Sequence, residues 1–158
     1  MSDQNSLSRG RAITVKIIFS RQTAITVDIA SSPETIWTLL TDTDSFKSWN
    51  STIIELTGKI ALGETIQLRS TRIFKLKVKE FEPHKCLSWC DAMGTRIYTL
   101  IPNSHGGTSF TMSEKIGGPL FPLFARMIPS FDESFNQFAA DLKLVAEGNA
   151  WYQFVMDC

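Results

Sequence analysis

Apolar and polar residues alternate over residues 13–19 and again over 25–30, the period-two pattern of half-buried strands, with Ser20-Arg21-Gln22-Thr23 breaking the two runs. They predict two strands, or one long strand with a bulge. Ser31-Ser32-Pro33-Glu34 then sets a hydroxyl N-cap ahead of a proline in the first helical turn. Ile36, Trp37, Leu39 and Leu40 follow on one side, so a short helix starts there. Asp42-Thr43-Asp44-Ser45 restarts the capping chemistry, and Phe46 and Trp49 supply the apolar face of a second short helix ending near Asn50. Asp42 and Asp44 therefore read as helix caps rather than as a catalytic acid pair.

From residue 52 to 115 no segment is long and periodic enough for a helix, and short alternating runs are divided by turn residues, which predicts an antiparallel meander. The expected strands are 52–57, 65–70, 73–81, 86–91, 95–101 and 108–115. In the third, Ile73, Lys75, Lys77 and Lys79 alternate with Phe74, Leu76 and Val78. Three lysines cannot all be buried unpaired, so Phe74, Leu76 and Val78 are expected to point inward.

Winding residues 120–145 at the helical period of about 100° per residue puts ten large apolar residues into a sector of about 120°. Leu120, Phe121, Phe124, Met127 and Ile128 form its first half; Phe131, Phe135, Phe138, Leu142 and Val145 form its second. Pro129 falls on the outer side, so the segment is either one kinked helix or a short helix leading into a longer one. A helix with such a stripe needs an apolar surface, and the meander needs a cover for its inner face. The expected fold is α+β: a curved antiparallel sheet of about seven strands wrapped around a long C-terminal helix, with two short helices after the first strand. A concave sheet gripping a helix commonly leaves a space between them, although the helix phenylalanines could equally fill it.

A length of 158 residues fits one domain, and 43% apolar with 20% charged residues excludes a disordered chain. Sixteen Lys plus Arg balance sixteen Asp plus Glu, leaving no net field toward phosphate backbones or anionic lipid, so nucleic acid is not an expected partner. The first residues are polar and no run approaches 18 uncharged apolar residues, so a soluble, cytoplasmic protein without integral membrane association is expected. Cys86, Cys90 and Cys158 are expected to be reduced thiols; a lone Cys-x3-Cys is no metal motif. No Gly-x-Ser-x-Gly, Gly-x4-Gly-Lys or His-Glu-x2-His string is present, and neither a metal nor another cofactor is expected. His84 and His105 lie in turns without a visible nucleophile or carboxylate partner.

Several local strings carry a resemblance. They are Val27-Asp28-Ile29-Ala30-Ser31-Ser32-Pro33-Glu34-Thr35-Ile36-Trp37, then Leu40-Thr41-Asp42 through Phe46-Lys47-Ser48-Trp49-Asn50. Downstream follow Gly63-Glu64-Thr65-Ile66, Leu87-Ser88-Trp89, and Gly106-Gly107-Thr108-Ser109-Phe110-Thr111 leading to Glu114 and Gly118. In these and in the order of elements, residues 26–147 resemble the START-like or Bet v 1-like (SRPBCC) superfamily with the helix-grip fold, of the polyketide cyclase/dehydrase and lipid-transport type. Ser51 departs from it, standing where many such proteins carry proline, and the 91–95 connection is short. The expected organisation is a flexible polar leader over 1–11, a START-like domain over 12–149, and a tail over 150–158. Packing outside the sheet and a homodimer contact are the two roles open to the tail's Trp151, Tyr152 and Phe154.

The resemblance implies a ligand between the inner sheet face and the C-terminal helix. Arg96, Tyr98 and Leu100 share one face of their strand; the resemblance turns it inward, while Ile97 and Ile101 leave the opposite choice physically open. Thr108, Phe110, Met112 and Glu114 share a face whose apolar members favour the interior, and a buried Glu114 would need a partner, which Arg96 on an adjacent strand could be. Arg96, Tyr98 and Glu114 would then orient an otherwise apolar molecule; the other reading is an Arg-Glu pair closing the core or facing solvent. Trp49, Phe74, Trp89 and Phe110 are expected to line the cavity, together with Met112, Phe131, Phe135 and Phe138; for each, simple packing is the competing role. The favoured function is binding or transport of a small hydrophobic molecule such as a lipid, aromatic or polyketide-like compound. The alternatives are a cyclase or dehydratase, with Tyr98 or Glu114 as general acid or base and Arg96 polarising a carbonyl, and a protein-interaction or stress-related module.

Overall fold

The computed structural model describes the backbone of residues 9–156 and the side chains of residues 9–148. Most of the expected polar leader, the side chains of Trp151, Tyr152 and Phe154, and Cys158 lie outside the described residues. Eight strands form one antiparallel sheet: β1 (Ile13–Ile17), β2 (Ser20–Ile29), β3 (Glu55–Thr57), β4 (Thr65–Arg69), β5 (Ile73–Glu82), β6 (Cys86–Cys90), β7 (Gly94–Pro102) and β8 (Thr108–Gly117), in the order β1-β2-β8-β7-β6-β5-β4-β3.

The extra strand comes from the first hairpin. Its turn is at Ile18-Phe19 rather than at the polar Ser20-Arg21-Gln22-Thr23 break, and Ile17 pairs with Ser20. Long-range pairing decides this: β2 runs unbroken beside β8 from Ser20↔Gly117 to Ile29↔Thr108. The polar residues thereby enter a central strand, where Arg21 and Thr23 are buried.

Helices α1 (Pro33–Thr41) and α2 (Phe46–Trp49) follow β2. Ser32 caps α1, its Oγ accepting from the Thr35 N–H at 3.2 Å, and Ile36, Trp37, Leu39 and Leu40 bury the expected face. The C-terminal segment takes the two-helix alternative: α3 (Phe121–Phe124), one 3-10 turn (Ala125–Met127), and α4 (Asp132–Met156). The interruption has a local cause, because a proline disfavours helical backbone in the residue before it; Ile128 is extended at φ −93°, ψ 116°. The two halves of the apolar stripe consequently part. Phe135, Phe138 and Leu142 are buried on α4, whereas Leu120, Phe124 and Met127 are exposed and only Phe121 of the first half is fully buried.

The concave face and α4 make one core. Ile25 and Ile29 from β2, Ile66 from β4, Val78 from β5, Leu87 and Trp89 from β6, and Phe110 and Met112 from β8 enclose Phe135, Phe138 and Leu142. Helix α4 crosses from the body of the β1–β2 hairpin, where Thr14 Oγ1 donates to Asp132, to the far end of β2, where the Ala30 N–H donates to Glu147 Oε1 at 3.1 Å. Midway, the Ser51 N–H and hydroxyl both donate to Asp141 Oδ2, at 2.9 and 2.7 Å. A proline at residue 51 could not make the first of these bonds.

Candidate functional site

The structure resolves the open parity of β7. Tyr98 and Leu100 face the core and are buried, Ile101 is exposed, and Ile97 lies half-buried on the outer side. The β7–β8 register sets Arg96 directly opposite Glu114 and Tyr98 opposite Met112. Arg96 Nε donates to Glu114 Oε2 at 2.7 Å, and Nη2 donates to the same oxygen. Burial disfavours the charge on Arg96, but the facing carboxylate outweighs it and holds the guanidinium more firmly protonated than usual. The pair is not sealed: its side chains keep 18% and 16% of their surface exposed, so it sits at an edge of the core that water can reach.

Phe138 stands at the centre of an aromatic cluster. Tyr98 stacks on it at 5.6 Å between ring centroids, Phe110 at 6.4 Å, and Trp49 meets it edge-on at 5.6 Å. Trp89 packs edge-on against Tyr98 at 5.1 Å. Phe135 links the cluster to the ion pair, since the Arg96 guanidinium lies 5.4 Å over its ring; Phe131, half-buried, stacks on Phe135 at 6.2 Å. Ten of the eleven expected residues thus gather under α4, packed against one another or paired across β7 and β8. Phe74 does not join them. It shares the side of Leu76 and Val78 but is 39% exposed, because β6 ends opposite Lys77 and the first residues of β5 overhang with only β4 beside them.

Within this region buried polar atoms lack partners of acceptable geometry among the described residues: the Tyr98 hydroxyl, Trp49 Nε1 and Asn50 Nδ2. Asn50 Oδ1, by contrast, is saturated by the N–H groups of Thr52 and Ile53 and the Thr52 hydroxyl. Burial pushes the Tyr98 phenol up to about 12, against the opposing pull of Arg96, so at neutral pH it is a hydrogen-bond donor and not a phenolate. Trp49 Nε1 and Asn50 Nδ2 can only donate. The region presents donors in want of acceptors.

The histidines lie elsewhere. His84 is exposed in the β5–β6 turn with φ 66° and meets Trp37 edge-on at 6.2 Å, and His105 is exposed in the β7–β8 turn. Cys86 and Cys90 are free, and among the described residues no group of His, Cys, Asp and Glu could hold a metal. No helix among them is long and apolar enough to cross a membrane. Sequence reasoning missed one concavity, a groove of about 600 Å³ on the outer sheet face between Phe19, Gln22, Met93, Thr95, Ser113 and Lys115. Its walls come from three strands and two turns, so no contiguous pattern announces it.

No protein-family model matches the sequence, and no curated protein matches it. Solved structures do. A conserved protein of unknown function from Enterococcus faecalis superposes with a TM-score of 0.67 at 18% identity, covering 91% of this chain and 80% of that one. A START superfamily protein from Mycobacterium smegmatis gives 0.59 at 16% identity, covering 80% and 97%. A putative protein of the dynemicin biosynthetic locus gives 0.60 at 15% identity, covering 77% of this chain and 45% of the other. At such identities the likeness is one of architecture, and the chain has a START-like helix-grip fold.

Proposed function

We infer that this protein binds a small, largely apolar molecule between the sheet and α4, and that the molecule carries a hydrogen-bond acceptor such as a carbonyl or carboxylate oxygen. The observation that carries this reading is the fully buried Tyr98 hydroxyl, whose proton finds no acceptor among the described residues, set among aromatic rings two residues along β7 from a water-reachable Arg96–Glu114 pair. A buried polar group left unsatisfied costs on the order of 1–3 kcal/mol, a cost that a ligand oxygen would relieve. The rings of Trp49, Phe110, Phe135 and Phe138 supply apolar contact, and Arg96 marks the polar end of the site. The START-like fold of the neighbours supports a ligand in this position.

Two probes of one shape separate the contributions, fluorene and its ketone fluorenone. The ketone is expected to bind the native protein more tightly, and Tyr98→Phe to remove about three- to tenfold of that preference, the worth of one hydrogen bond. Failure of both probes to bind, with no small molecule found by mass spectrometry in the natively purified protein, would sink the reading.

A second reading is catalytic, a cyclase or dehydratase acting on a poly-keto compound, and the neighbour from a biosynthetic locus favours it. There Arg96 would polarise a carbonyl and Tyr98, held as a phenol, would serve as general acid. Turnover of a poly-keto substrate that Arg96→Ala slows without loss of fluorene binding would favour this second reading.

A further inference from the structure

At the end of the molecule where α4 begins, apolar side chains project into solvent from three segments that the fold ties together. Ile17, Ile18 and Phe19 form the tip of the β1–β2 hairpin and are 65%, 75% and 58% exposed. Leu120, Leu123, Phe124 and Met127 lie on or beside α3 and the 3-10 turn and are 62%, 73%, 44% and 78% exposed. Met93, in the β6–β7 turn, is 47% exposed. The Gly118 N–H donates to the Phe19 carbonyl at 3.1 Å, and the Gly117 N–H to the Met93 carbonyl at 3.1 Å. Gly117 permits this approach, since a Cβ there would stand 2.8 Å from the Phe19 carbonyl oxygen. Buried Arg21 fixes the third segment by donating to the carbonyls of Ile128 and Pro129 at 3.0 and 2.7 Å. Together these side chains expose on the order of 1,000 Å², beyond the few hundred that a monomer ordinarily leaves in one patch.

Charge at this end is mixed but basic in balance despite the zero net charge. Lys16, Lys115 and Arg126 are exposed beside it, with Arg72 and Lys75 further along the same sheet end. None of the five makes an ion pair among the described residues. Of the acids at this end, Glu114 pairs with Arg96 and Glu55 with Arg69, Asp91 accepts from the N–H groups of Met93 and Gly94, Asp132 accepts from Thr14, and Glu133 is exposed on the first turn of α4. Beside Phe19 and Met93 opens the outer groove of about 600 Å³, whose polar lining is Ser20, Gln22, Thr95 and Ser113 with one base, Lys115, and one acid, Asp91.

We propose that this end docks on anionic lipid bilayers: the projecting side chains of the hairpin tip and of residues 120–127 enter the acyl boundary, while the exposed Lys16, Lys115 and Arg126 meet headgroup phosphates. Separately protruding apolar side chains with a basic rim suit a fluid interface, and neither side chain nor charge alone gives stable attachment. The patch stands whether or not the interior holds a ligand. If both readings hold, docking brings the Arg96–Glu114 edge of the core, at the same end of β7, near the membrane from which a hydrophobic ligand would come.

The test is co-sedimentation of the full chain with phosphatidylcholine vesicles containing about 30% phosphatidylglycerol at about 0.1 M salt, where a basic rim is only partly screened. Binding is expected, weaker on pure phosphatidylcholine and at higher salt. The double variant Leu123→Ser/Met127→Ser and the single variant Ile18→Ser should each lose about tenfold in partition, with melting temperature unchanged because these positions are exposed. Lys115→Gln should reduce the preference for anionic vesicles. Ile18→Trp should show a blue-shifted emission on vesicles. Absence of binding, or binding that the double variant leaves intact, overturns the proposal. So does a concentration-dependent dimer in sedimentation velocity that the double variant abolishes while the native chain ignores vesicles. Retained fluorenone binding in the double variant would show that the interior site survives on its own.

Discussion

Tyr98 and its neighbours Ile97 and Ile101 show what governs a single side chain in this sheet. Alternation alone placed Tyr98 on the face of Arg96 and Leu100, but either face of β7 offered apolar residues to a core. The choice came from β8, whose Phe110 and Met112 have no such ambiguity and whose register carries Leu100 and Tyr98 inward with them. Cys86 shows the same dependence on neighbours. Partial burial, then the adjacent Glu80 and Glu82, push its thiol up to about 11. At pH 8 its alkylation by iodoacetamide is therefore expected to run on the order of a hundredfold slower than that of a free cysteine. Glu80→Gln should recover part of that rate; peptide mapping by mass spectrometry measures both.

At the scale of elements, the C-terminal segment was legible in its apolar stripe and in the break that Pro129 imposes, but not in how its two pieces lie. Arg21 decides that. It reaches from β2 to the last carbonyls of the break and lies 5.1 Å over the Phe131 ring. Arg21→Met, which keeps the stem and removes the donors, is expected to cost about 2–3 kcal/mol in urea unfolding by stranding two carbonyls. Amide exchange should rise first in residues 120–130.

The other end of α4 carries a pH-dependent tie. Burial alone would raise the Glu147 carboxyl, but donation from Lys143 at 2.7 Å and from the Ala30 N–H at 3.1 Å outweighs it and holds the group below its ordinary range. A depressed carboxyl stabilises the fold above its unfolded value and loses that contribution as pH falls through the folded value. Glu147→Gln is accordingly expected to cost up to about 1 kcal/mol at pH 7, for a part-exposed tie. Once acid has protonated Glu147, the native and variant denaturation midpoints should converge.

For the whole molecule, Phe138 is the residue through which sheet, α2 and α4 meet, touching Phe46, Trp49, Tyr98 and Phe110. Phe138→Ala is expected to destabilise by about 3–5 kcal/mol, measured by urea denaturation, and to open a space beside Tyr98. The same variant should shift ligand preference toward bulkier apolar probes.

The chain by itself determined the alternation that makes the strands, the Ser32-capped first short helix, the interruption at Pro129 and the pairing partner that Glu114 requires, because each is written in residues within a few positions or one strand of each other. Only tertiary structure decided the face of β7, the turn at Ile18-Phe19, the exposure of Phe74 and the gathering of three apolar segments at one end. Those depend on which strands lie side by side and where each one stops, and that is fixed by the long-range match of whole sheet edges rather than by local preference.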